Sequence, residues 1–151
     1  MDNFSSECIS LVSFDKIYHQ NIRPKLEEID IFLKSTASPY AIDAVAHLLA
    51  AQSTEVLNTM ATLHITTLDK INFFNLIFHM PSYICKLIRR QWQYSRHTAY
   101  SAEMIADIYQ INIHKVESAF KELDVQYITE DDLNELFKRI YTTVFNMETI
   151  S

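Results

Sequence analysis

The 151 residues include 13 Lys and Arg against 19 Asp and Glu, a net charge of −6, with 48% apolar residues and no glycine. These are globular rather than disordered values. A chain without the usual source of positive φ at tight turns is also far easier to build from helices than from β-hairpins. The acidic total argues against a general nucleic-acid binder, and the isolated cysteines Cys8 and Cys85 point to a reducing, cytoplasmic setting rather than a disulfide framework.

In chain order, residues 1–11 read as a lightly docked tail, without the basic start and apolar run of a signal peptide. Ser13 is placed to cap a helix reaching about Lys34, along which Ile17, Ile22, Leu26, Ile29 and Leu33 roughly follow one stripe. Pro24 lies inside that pattern and predicts a kink or two shorter helices. Ser35–Pro39 has linker composition. From Pro39 to Asp69 there is no Lys or Arg at all.

A shift of sixty residues, without a gap, then aligns the chain with itself. Tyr40 meets Tyr100, Asp43 meets Glu103, Val45-Ala46 meets Ile105-Ala106, and Leu48-Leu49 meets Ile108-Tyr109. Val56 meets Val116, Met60 meets Phe120, Leu68 meets Ile128, Phe73 meets Leu133, and Leu76 meets Leu136. Matched positions are mostly apolar and mismatched ones mostly polar. Each copy reads as three helices, at about 40–50, 53–63 and 68–79, and again at about 101–109, 113–123 and 130–141. The link Val125–Ile128 is β-prone, a short strand or a connector. Thr129, followed by three acids, is a good helix start because the hydroxyl caps free N–H groups and the acids suit the positive end of the helix dipole.

Between the copies, Pro81–Tyr94 reads as an amphipathic helix. Ile84, Leu87, Ile88 and Trp92 share one face, and Lys86, Arg89 and Arg90 form a basic ridge off it, followed by Arg96. The fold expected is all-α: a tail and helix (1–38), a first three-helix unit (39–80), the connecting basic helix (81–98) and a second three-helix unit (99–151). The stretch Ile71–Ile88 is too polar to span a bilayer.

Ser101–Phe120 resembles a bacterial helix-turn-helix. Ala106 is the small residue where two helices touch, Ile105, Tyr109 and Ile111 are the apolar residues before and around the turn, and Val116 is the branched residue of the second helix. Val45, Ala46, Leu49, Ala51 and Val56 occupy the same places in the first copy. Leu123–Phe137 is similar to the segment after the motif in excisionase-like and MerR-like regulators. The likeness covers about forty residues per copy and concerns pattern, not identity. It departs at the turn, where the family usually has Gly and this chain has Ala50 and Gln110. Asn112 is the nearby residue expected to take the left-handed conformation.

The resemblance implies a DNA-binding regulator acting as a dimer on double-stranded DNA, with the second helix of the second copy as the recognition element. Its outward residues would be Asn112, His114, Lys115, Ser118 and Lys121, with Lys86, Arg89, Arg90 and Arg96 adding phosphate contacts. The first copy's second helix offers Ser53, Thr54, Glu55, Asn58, Thr59 and Thr62 but no cation, which suits packing or a protein partner. The rival expectation is therefore a protein-interaction adaptor that uses the scaffold without nucleic acid. No Ser, Cys or carboxylate stands in a catalytic setting, and the six histidines lack metal-ligand spacing, so no enzyme, cofactor or metal is expected.

Overall fold

The computed structural model describes residues 9–145. The described residues are mostly helical, with one two-stranded sheet, and divide into two compact units, residues 22–96 and residues 9–21 with 97–145.

In the unit of residues 22–96 the helices are α2 (Arg23–Ser35), α3 (Ile42–Leu48), α4 (Ser53–Thr62), α5 (Lys70–His79) and α6 (Tyr83–Gln93). Pro24 sits in the first turn of α2, where its missing N–H costs nothing. Asp69 caps α5 by accepting the Asn72 N–H at 2.8 Å, and Ser82 caps α6 by accepting that of Cys85 at 3.4 Å. Val45, Leu49, Val56, Phe73, Leu76, Met80 and Ile84 form the fully buried core. Helix α6 thus packs with the first three-helix set instead of standing apart as a connector, and its contacts are with α5.

The other unit holds β1 (Ile9–Ser13), α1 (Phe14–Ile17), α7 (Ala102–Tyr109), α8 (Ile113–Leu123), a 3-10 turn (Glu130–Asp132), α9 (Leu133–Phe137) and β2 (Tyr141–Phe145). A π-helical stretch, Tyr18–Ile22, leads from α1 to α2. Ring contacts gather on Phe137, whose centroid is 4.8 Å from that of Phe14, 5.1 Å from Tyr18 and 5.0 Å from Tyr109.

Three expectations need correction. Residues 9–11 of the expected tail belong to β1, which pairs antiparallel with β2 from Ile9↔Phe145 to Ser13↔Tyr141; residues 1–8 lie outside the described residues. The last helix stops at Phe137 rather than continuing to 141, because Tyr-Thr-Thr-Val-Phe is aromatic and β-branched and finds a partner strand. Ser13 precedes α1 as expected, but its hydroxyl donates to the Asp15 carboxylate and caps no backbone N–H.

The sixty-residue offset reappears in the backbone. Tyr40 N–H donates to Leu68 O at 2.7 Å, and Tyr100 N–H to Ile128 O at 2.7 Å. Ala51 N–H reaches Ala46 O at 2.9 Å, and Ile111 N–H reaches Ala106 O at 3.1 Å. Ile65 N–H bonds Met60 O at 2.8 Å, and Val125 N–H bonds Phe120 O at 3.1 Å. The four described residues with positive φ also form two such pairs, Ala50 with Gln110 and His64 with Asp124. The Val125–Ile128 link is a connector closed by a single bridge, Tyr100↔Ile128.

Candidate nucleic-acid interface

Helix α8 owes its place to the turn before it. Gln110 ends α7 in the left-handed conformation, and Ile111 and Asn112 lead directly into α8. Val116, Ala119 and Phe120 are buried, which fixes the opposite side of α8 toward solvent. His114, Lys115, Ser118 and Lys121 are all exposed there, so four of the expected recognition residues share one helix.

Their chemistry differs from the expectation. Asn112 is not the left-handed residue of the turn. It has φ −54°, and its Oδ1 accepts the His114 N–H at 2.8 Å as the cap of α8. Lys115 Nζ donates to Tyr141 O at 2.7 Å, tying the start of β2 to α8. His114 Nδ1 lies 3.7 Å from a carboxylate oxygen of Glu117. Glu117 and Glu122 are exposed on the same helix, and Glu103 joins Glu117, Ser118, Lys121 and His114 around a shallow groove of about 490 Å³. Acids therefore alternate with cations on the outer face of α8. The spacing contained this signal, since Glu117 lies three residues after His114 and four before Lys121.

In the first copy, two hydroxyls of α4 bond back to α4 itself, while that of Ser53 donates to Asp43 on α3. Thr59 Oγ1 donates to Glu55 O at 2.9 Å and Thr62 Oγ1 to Asn58 O at 3.0 Å, while Leu57 stands 48% exposed.

The basic ridge belongs to the other unit, so the nine expected contact residues are divided between the two units. Lys86 and Arg96 are exposed and Arg90 is half-buried. Arg89 is spent within the fold, its Nη1 donating to Ile77 O and, at 2.8 Å, to Met80 O, the carbonyls that end α5. Beside this ridge stands an aromatic group. Trp92 packs its ring 5.6 Å from Phe74 and 5.0 Å from Phe78.

Neither a protein-family model, nor a curated protein, nor a solved structure matches the chain. The site's meaning therefore rests on its chemistry.

His64 and His79, fifteen residues apart, line one pocket of about 320 Å³ with Asn72 and Asn75, and His79 Nδ1 donates to Asn75 O at 2.8 Å. Among the described residues no three His, Cys, Asp or Glu side chains gather as a metal site. Hydrogen bonds from Lys138 and Arg139 hold the Glu135 carboxyl below the usual range, and burial raises the Tyr100 phenol with help from Glu130. No described helix is long and apolar enough to cross a membrane.

Proposed function

We propose that this chain is a non-catalytic adaptor that binds another protein through a pair of helix-turn-helix-like, three-helix units. The observation that carries this reading is the outer face of α8. Glu117 and Glu122 interrupt its cations, Glu103 borders its groove, and Asn112 and Lys115 already hold hydrogen bonds inside the unit. Phosphate contacts supply most of a protein's affinity for duplex DNA. A surface of alternating sign gives little of that term, but it suits a protein partner, where complementary charges fix register and suppress wrong pairings. The cation-free outer side of α4, with Leu57 exposed, agrees with this.

Duplex DNA remains the second reading. It is favoured by the sharp turn from Ala106 to Ile111 and by Lys86 and Arg96 outside the α8 face. A photo-crosslinker placed at exposed Ser118 in the full chain, activated in cells, separates the two. The adaptor reading expects protein adducts that survive nuclease, and no binding of random duplex at about 50 mM salt. Nuclease-sensitive adducts would sink it. So would duplex affinity that falls steeply with salt and is weakened by Lys121→Ala.

A further inference from the structure

From Lys70 to Arg96 the chain carries five cations and no Asp or Glu, although it has nineteen acids in all. This stretch is the α5–α6 hairpin and its exit. Helix α5 is apolar on two sides. Phe73, Leu76 and Ile77 are buried, while Ile71 is 74% exposed and Phe78 52% exposed. Ile71, Phe74 and Phe78 follow the i, i+3, i+7 spacing of one helix face. The half-buried Trp92 ring widens that strip by packing against Phe74 and Phe78. Exposed Lys70 lies one turn before Phe74, and Lys86 and Arg96 stand six residues before and four residues after Trp92.

We propose that this strip of Ile71, Phe74, Phe78 and Trp92, on a hairpin whose exposed charges are Lys70, Lys86 and Arg96, docks an acidic amphipathic helix of a partner protein. The proposal rests on the adaptor reading and gives its partner a chemistry. An apolar strip one helix wide takes anchors at i, i+3 or i+4, and i+7, and a hairpin that carries cations and no acid from Lys70 to Arg96 favours Glu and Asp between those anchors. Duplex DNA would satisfy the lysines but would leave Ile71 and Phe78 in water. A membrane surface prefers a broad continuous apolar face. Here α5 and α6 have spent their larger faces on the core, which holds Phe73, Leu76, Ile77, Ile84, Leu87 and Ile88.

Trp92 is the chain's one tryptophan, so its emission reports on the surface directly. The probe is a helix-forming peptide of about five turns with Leu at i, i+3 and i+7 and Glu at most other positions. Its control has the same composition with the leucines moved off one face. The expected result is a saturable blue shift of Trp92 with the striped peptide and a far weaker one with the control. Affinity should fall roughly tenfold or more in the double variant Lys70→Glu with Lys86→Glu. A peptide with Lys in place of Glu should bind that variant better than it binds the parent. Phe78→Ser should weaken the striped peptide while leaving the far-ultraviolet dichroism unchanged, since both kinds of variant alter exposed positions. Equal binding of the two peptides, no shift, or a response to phosphatidylserine vesicles or oligonucleotides with none to the peptide would overturn the proposal. If protein adducts still form at Ser118, such a failure removes this surface alone; nuclease-sensitive adducts there would remove the adaptor reading itself.

Discussion

Ala50 and Gln110, sixty residues apart, hold the same left-handed backbone, with φ of 54° and 56°. Ala50 follows α3 and Gln110 follows α7, and the N–H of the next residue, Ala51 or Ile111, donates back to the carbonyl of Ala46 or Ala106. The turn geometry usually assigned to glycine is thus present without glycine, and each side chain opposes it through its Cβ.

Replacing Ala50 with Gly should therefore raise stability. Relief of the left-handed penalty, about 1–2 kcal/mol, exceeds the added chain entropy of about 0.5–1 kcal/mol, for a net gain of roughly 0.5–1 kcal/mol. Gln110→Gly should gain less, because the Gln110 amide donates to Asp107 O at 2.6 Å and that bond is lost. Urea denaturation of both variants checks the order. A destabilised Ala50→Gly would contradict the strain argument.

Phe137→Ala should be among the most damaging changes in its unit. The ring is fully buried and meets Phe14, Tyr18 and Tyr109. Removing a buried Phe costs about 3–5 kcal/mol. Loss of near-ultraviolet dichroism at lower urea is the expected reading. Phe78→Ala, at a half-exposed position, should shift the midpoint far less.

The helices of both copies were legible because their buried residues fall at helical spacing and at a common offset. Val45, Val56 and Leu76 are buried, as are Ile105, Val116 and Leu136. The β1–β2 sheet was not legible. It joins residues more than a hundred and twenty positions apart, and neither strand has a turn residue or a neighbouring strand to announce it. At the candidate interface, residue types indicated which side chains would be exposed on α8. They did not reveal that Lys115 would reach the Tyr141 carbonyl or that Arg89 would close α5, since both acceptors are backbone atoms placed by the fold.

Arg89 should accordingly behave as a structural residue. Its guanidinium satisfies two carbonyls at the end of α5, where no further helical N–H is available. Arg89→Ala should cost about 1.5–3 kcal/mol, the usual range for hydrogen bonds from a charged donor. Lys86→Ala, on the same helix but exposed, should cost less than about 0.5 kcal/mol. Both bonds come from one nitrogen, Nη1, so Arg89→Lys, whose ammonium also carries several donors on one nitrogen but on a shorter side chain, should recover part of the loss. Thermal unfolding of the three variants orders them.

Cys85 gives the fold a pH dependence on the alkaline side. Its thiol is buried, and burial pushes its pKa up, outweighing the opposite pull of the Ser82 hydrogen bond and the Arg89 charge. A raised value means that the folded unit prefers the neutral thiol. The associated stability is complete below the ordinary thiol pKa of about 8.5 and is lost as pH rises from there through the folded value. In a Cys8→Ser background, urea midpoints should fall as pH rises above about 8.5, and Cys85→Ala should flatten that fall even though its cavity lowers stability at every pH. Disulfide-forming reagents should label Cys85 slowly below the urea midpoint and quickly above it. Rapid labelling of the folded protein at neutral pH would show that the thiol is open to solvent, contrary to its packing.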